Sequence, residues 1–114
     1  LDVRLQNNNQ GEILMEKWAD YLISAVRYDS DHQHITHLKV HEDKGDKVGD
    51  GKAYSRQAVV DAINSGNTFV TIYKDDGKWQ KGQKVIVIKV NGVSYLKTMD
   101  NNKEEDNLEN LPEF

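Results

Sequence analysis

The chain has 114 residues, 37% apolar and 30% charged, with a formal net charge of -4, which suits one ordinary domain and is too short for two well-buried cores. It contains no cysteine, so disulfide frameworks, thiolate zinc sites and cysteine nucleophiles are excluded, and a cytoplasmic location is the expectation. The longest apolar run, Val85 to Ile88, falls far short of the roughly 18 to 20 residues that carry a helix across a bilayer.

Leu1 to Leu14 carries no signal-peptide pattern and no strand or helix periodicity. Gln10-Gly11-Glu12 back-translates to a purine-rich ribosome-binding sequence a few codons before Met15, so residues 1–14 read as a translated leader and residues 15–114 as a single α+β domain. Tyr21 to Tyr28 and Ile35 to His41 are rich in β-branched and aromatic residues and flank the polar stretch Asp29 to His34, which predicts a hairpin. Glu42 to Tyr54, with Gly45, Gly49 and Gly51 among charges, predicts a long loop.

Ser55 is placed to cap a helix, Ala58, Val59, Ala62 and Ile63 make its apolar stripe, and Gly66 suits the left-handed residue that ends it. Thr68 to Lys74 then reads as a strand, Asp75-Asp76-Gly77 as a turn, Gln83 to Val90 as a strand, Asn91-Gly92 as a tight hairpin turn and Val93 to Thr98 as the last strand. Val85 to Ile88 is apolar on both faces, as a central strand would be. The predicted fold is therefore a small antiparallel sheet of order β-β-α-β-β-β packed against one helix. From Met99 onward the chain is acidic, with Lys103 its one base. Leu108, Leu111 and Phe114 nonetheless recur at spacing three, which predicts a C-terminal strap docked on the body, with Asp106 and Asn107 turning the chain and Glu104, Glu105 and Glu109 near lysines.

Ile23-Ser24-Ala25-Val26-Arg27, Ser55-Arg56-Gln57-Ala58-Val59-Val60 with Ile63 and Gly66, Asn91-Gly92 with Tyr95-Leu96-Lys97-Thr98, and Asp106-Asn107-Leu108-Glu109-Asn110-Leu111-Pro112 together give the chain a resemblance to domain-of-unknown-function family 3892, of bacterial, archaeal and phage proteins. Where family members tend to carry Arg after the Tyr-Leu pair, this chain has Lys97, which lacks the bidentate fork. The resemblance implies no activity, cofactor or site.

His32, His34, His37 and His41 crowd the predicted second strand, but His37 and His41 would lie about 13 Å apart along one face at roughly 3.3 Å per residue, too far to share a zinc. A solvated histidine-bearing strand is the plainer expectation, and no metal or other cofactor is predicted. Gly45 to Lys52 fails the spacing of a phosphate-binding loop, and Ala53 stands where its Ser or Thr belongs. Lys47, Lys52 and Arg56 near the helix start retain a weaker anion-binding reading. Lys74, Lys78, Lys81, Lys84, Lys89 and Lys97 are interleaved with Tyr73, Trp79 and Tyr95, a pattern that suits single-stranded nucleic acid or a nucleotide and equally suits lysine-protected sheet edges with aromatics in the core. The candidate ligand-binding residues are accordingly Lys52, Arg56, Tyr73, Trp79, Tyr95 and Lys97. With no catalytic grouping in the sequence, the expectation is a non-enzymatic module that binds another protein, of phage or mobile-element origin, with nucleotide or single-stranded nucleic acid as the alternative partner.

Overall fold

The computed structural model describes residues 5–7, 13–15, 17–32, 34–98, 103–108 and 111–114. The elements are β1 (Leu5–Asn7), β2 (Ile13–Met15), β3 (Tyr21–Tyr28), β4 (Ile35–Glu42), β5 (Lys52–Ser55), α1 (Arg56–Asn64), β6 (Phe69–Asp75), β7 (Lys78–Lys84), β8 (Ile86–Val90) and β9 (Val93–Lys97). β1 and β2 pair antiparallel, where no strand was predicted. The rest of the leader, residues 1–4 and 8–12, lies outside the described residues.

The protein is α+β, with one helix among the described residues and a mixed five-stranded sheet of order β5-β4-β3-β6-β7 beside a two-stranded β8-β9 ribbon. The wholly antiparallel sheet is thus corrected, because β3 pairs parallel with β6 through Tyr21↔Phe69, Leu22↔Val70 and Ile23↔Thr71. Asp20 and Thr68 set that start: Thr68 donates its amide to Asp20 Oδ2 at 2.8 Å, and Asp20 donates its own to Thr68 Oγ1 at 3.0 Å. The predicted loop shortens, because its last three residues form most of β5, fully exposed at the sheet edge. The predicted strand Gln83 to Val90 breaks at Val85, whose amide bonds Phe69 O and whose side chain is buried. Gln83 and Lys84 belong to β7 and Ile86 to Val90 to the ribbon, so the central strand is β3, buried from Leu22 to Val26.

Ser55 Oγ accepts from the Ala58 amide at 3.2 Å, and Gly66 closes the helix at φ +105°. Val59 and Val60 anchor α1 on one face of the sheet, in a core with Ile23, Val26, Leu38, Phe69, Leu96 and Leu108. A smaller cluster, Ala19, Leu22, Val70 and Ile72 with Trp18 and Trp79, occupies the opposite face. Tight turns at Asp76-Gly77 and Asn91-Gly92 have positive φ at both residues, as two-residue hairpin loops require.

Past Ile23, the edge of β3 is met by the C-terminal residues: Val26 donates to Pro112 O at 2.9 Å and Phe114 donates to Val26 O at 3.1 Å. Asn107 bonds back to β9, its amide donating to Leu96 O at 2.8 Å. Leu108 is buried, Leu111 half-buried, and Phe114 exposed beneath the Arg27 guanidinium. Glu104 accepts from the Asn91 side-chain amide at 2.6 Å rather than from a lysine, and Glu109 lies outside the described residues.

Candidate functional site

The six predicted ligand residues do not converge. Arg56 is committed inward. Its Nε and Nη2 donate to the two oxygens of Asp106 at 2.8 and 3.1 Å, and Nη2 also donates to Ser94 O. Asp106, with a side chain fully withdrawn from solvent, also accepts from the amides of Ile35 and Leu96. Four donors saturate one carboxylate, so the helix start presents no free guanidinium to an anion.

Tyr95 and Lys97 are buried, and Lys97 Nζ lies over the Tyr95 ring and donates to Lys103 O. The stacking platform of Tyr73, Trp79 and Tyr95 is therefore corrected: Tyr95 is core, covered by the chain from Lys103 to Leu108 and by His34, whose ring stacks on it. Tyr73 stays exposed on β6, and Trp79 is half-buried with Lys74 Nζ 5.0 Å from its ring. Lys74, Lys78, Lys81 and Lys84 are all exposed, the last three along edge strand β7.

The histidines go to separate partners. His32 meets Glu113 at 3.0 Å, His34 meets Asp29 at 3.4 Å, and His37 contacts Thr36. His41 is buried rather than solvated, because its ring sits on the smaller-core face beside Trp79. Gly49 O, an acceptor only, lies 2.8 Å from His41 Nδ1, so Nδ1 carries a proton, and Nε2 is hydrogen-bonded to Ser24 Oγ at 2.7 Å. Ser24 occupies the register shift between Ile23 and Ala25. The pair pins the loop from residue 43 to 51 to the central strand. From its other end, buried Asp43 accepts from the amides of Trp18 and Gly45.

What this loop borders on the helix face is a cleft. Its apolar part, about 170 Å³, lies between Tyr21 and Phe69, stacked at 5.1 Å, on one side and Ala58, Val59 and Ala62 of α1 on the other, with Val40, Tyr54 and Asn67 completing the wall. Its polar part, about 350 Å³, shares Tyr21, Val40 and Tyr54 and is lined also by Glu42, Lys44, Asp50 and Lys52. Lys52 is thus the one predicted ligand residue that lines it. Sequence reasoning missed the remainder, because Tyr21 and Phe69 are brought side by side only by the parallel pairing.

The family comparison agrees in extent with the core so described: a family model described as protein of unknown function (DUF3892) matches residues 22–112. The chain belongs to that family. No curated protein and no solved structure matches it. Among the described residues of this DUF3892 domain, no three His, Asp or Glu side chains gather as a metal would require, and no helix is long and apolar enough to cross a membrane.

Proposed function

We propose that this DUF3892 domain is a non-enzymatic module that binds another protein, using the cleft between α1 and the β3–β5 end of the sheet. The observation that carries this reading is an apolar groove beside a charged rim, the arrangement of apolar core and polar rim that protein interfaces use. The burial of Tyr95 and Lys97 supports it against the nucleic-acid alternative, since it removes one of the three aromatics and one of the six lysines of the sheet face that alternative uses. The test is affinity capture from the source cell with the wild type and with Ala58→Trp, an exposed position on the cleft wall. A stoichiometric protein retained by the first and lost by the second is the expected result; equal retention, or none by either, defeats the reading.

A second reading rests on Lys74 over Trp79 beside exposed Tyr73 and the β7 lysines: binding of a nucleotide or single strand at that edge. Phosphate contacts release counterions, so affinity would fall steeply with salt; no binding of oligonucleotides or nucleotides at low salt removes it. We further read the segment from Asp106 to Phe114 as a strap that holds the fold closed. The backbone bonds to Val26 and Leu96 support this, and deletion of residues 106–114 is expected to lower the unfolding midpoint sharply.

A further inference from the structure

The tip of the β8-β9 ribbon presents a reactive pair at the surface. Asn91 and Gly92 are exposed and held at positive φ, 52° and 81°, the conformation for which a two-residue hairpin loop selects Asn-Gly. The hairpin closes through the flanking pair Val90↔Val93, and the Gly92 amide donates to nothing among the described residues. A Cβ at Gly92 would meet no atom within 4 Å, so water reaches this peptide freely.

Asparagine is a thermally labile residue because the nitrogen of the next residue can attack its side-chain carbon and close a succinimide ring. The nitrogen must be free to give up its proton, and the following side chain must leave room. Asn91 is the one asparagine in the sequence followed by glycine. Elsewhere the nitrogen is engaged: Ser65 N, after Asn64, donates to Asp61 O at 3.0 Å, and Thr68 N, after Asn67, donates to Asp20 Oδ2 at 2.8 Å. One contact opposes the reaction at Asn91, whose Nδ2 donates to Glu104 Oε1 at 2.6 Å. That bond must break before the side chain can swing onto Gly92 N, and the carboxylate resists both hydroxide and the anionic intermediate.

We propose that Asn91 is a site of spontaneous deamidation and that Glu104 sets its rate. Hydroxide removes the Gly92 amide proton, the nitrogen bonds to Asn91 Cγ, and the bond from Cγ to Nδ2 breaks as ammonia leaves with a proton from water. Water then opens the succinimide at either carbonyl, which leaves a carboxylate on an ordinary or a β-linked backbone. One water is taken up and one ammonia released. The product cannot remake the lost contact. A carboxylate at position 91 has no hydrogen to give Glu104, so like charges face each other where donor met acceptor. The β-linked form also adds a backbone atom to a loop whose length fixes the Val90↔Val93 register. The step is one-way, and it frees Glu104 from the ribbon tip.

The experiment incubates the full chain at neutral and mildly alkaline pH and follows the tryptic peptide from Val90 to Lys97, in which Asn91 is the one amide side chain. Conversion reads as a gain of one mass unit, in separate chromatographic peaks for the ordinary and β-linked products, and should rise with hydroxide. Relative to the folded wild type, Glu104→Ala should convert about three- to tenfold faster, the factor for releasing one hydrogen bond. Glu104→Gln keeps an acceptor without the charge and should fall between them. Melting midpoints near the wild-type value show that both variants are folded during incubation, and the wild type in urea supplies the rate of the unfolded chain. Conversion at Asn91 no faster than at Asn64 or Asn67 overturns the site. A Glu104→Ala rate equal to or below that of the wild type overturns the control by Glu104. Asn91→Asp supplies the ordinary product directly and should speed amide exchange at Glu104 and Glu105; unchanged exchange there denies the release.

Discussion

Replacing Asp106 by Ala tests whether one carboxylate ties the fold together. In the native protein its oxygens accept from Ile35 N at 2.7 Å, Leu96 N at 2.8 Å and two nitrogens of Arg56, so a single side chain joins β4, β9 and α1. Alanine leaves two buried amides without acceptors, at about 1 to 3 kcal/mol each, and strips a half-buried guanidinium of its partner. Breaking such pairs costs about 3 to 5 kcal/mol when both ends are buried. The Arg56 side chain, at 20% exposure, recovers some hydration, so that contribution is discounted, and the expected loss is about 4 kcal/mol or more. Against a total stability of about 5 to 15 kcal/mol, this is a large fraction. Urea unfolding followed by Trp18 and Trp79 fluorescence measures it, with Glu104→Gln as the exposed comparison, expected to shift by about 0.5 kcal/mol or less. In a double-mutant cycle Arg56→Ala should couple to Asp106→Ala by about 1 to 3 kcal/mol. A loss below about 1 kcal/mol for Asp106→Ala, or no coupling, would refute the reasoning.

His41→Ala removes the bonds to both Ser24 and Gly49 O and should cost about 1 to 3 kcal/mol while speeding amide exchange from residue 43 to 51; unchanged exchange there would deny the pin. Gly82→Ala puts a Cβ 2.3 Å from Thr71 Oγ1 and 2.9 Å from Thr71 O, and because the carbonyl cannot swing aside the expected loss is about 1 to 3 kcal/mol by thermal melt, whereas Gly77→Ala meets no atoms and suffers only from its positive φ. Burial holds the Tyr28 phenol above its ordinary value, with nearby Asp106, Glu113 and Glu105 adding to the rise and a hydrogen bond with the Leu108 backbone opposing it. The neutral phenol is favoured by folding, so its contribution is complete below the unfolded value near 10 and is lost as pH rises through the higher folded one. Tyr28→Phe should flatten the fall in melting temperature above about pH 10, and an identical alkaline slope in both proteins would show that another group is responsible.

Local chemistry was legible wherever it decided the structure alone. Ser55, Gly66, Asn91-Gly92 and the β-branched and aromatic run from Tyr21 to Tyr28 each act within a few residues, and each lies where the pattern put it. β7 was not, because Lys78, Lys81, Gly82 and Lys84 have the composition of a loop, and only its place at a sheet edge makes lysine apt. In β9, Tyr95 and Lys97 alternate with Ser94 and Leu96 as on any half-exposed strand. Their burial is imposed by the chain from Lys103 to Leu108, which no periodicity within β9 reports. The candidate cleft was hidden for the same reason: its walls come from β3, β4, β5, α1 and β6 and share no local motif.

The shared edge of β3 has a consequence for synthesis. Its first stretch is completed by β6, whose bond from Thr68 to Asp20 spans 48 residues, and its last by the C-terminal residues, where Arg27 meets Phe114 across 87. Closures over such separations are slow, since ordering must precede any contact that rewards it. A nascent chain emerging from the ribosome would thus carry its central strand half-zipped until the residues after Leu111 are free. During that interval the open stretch near Val26 is where a chaperone, or a neighbouring nascent chain, has its best opportunity to pair.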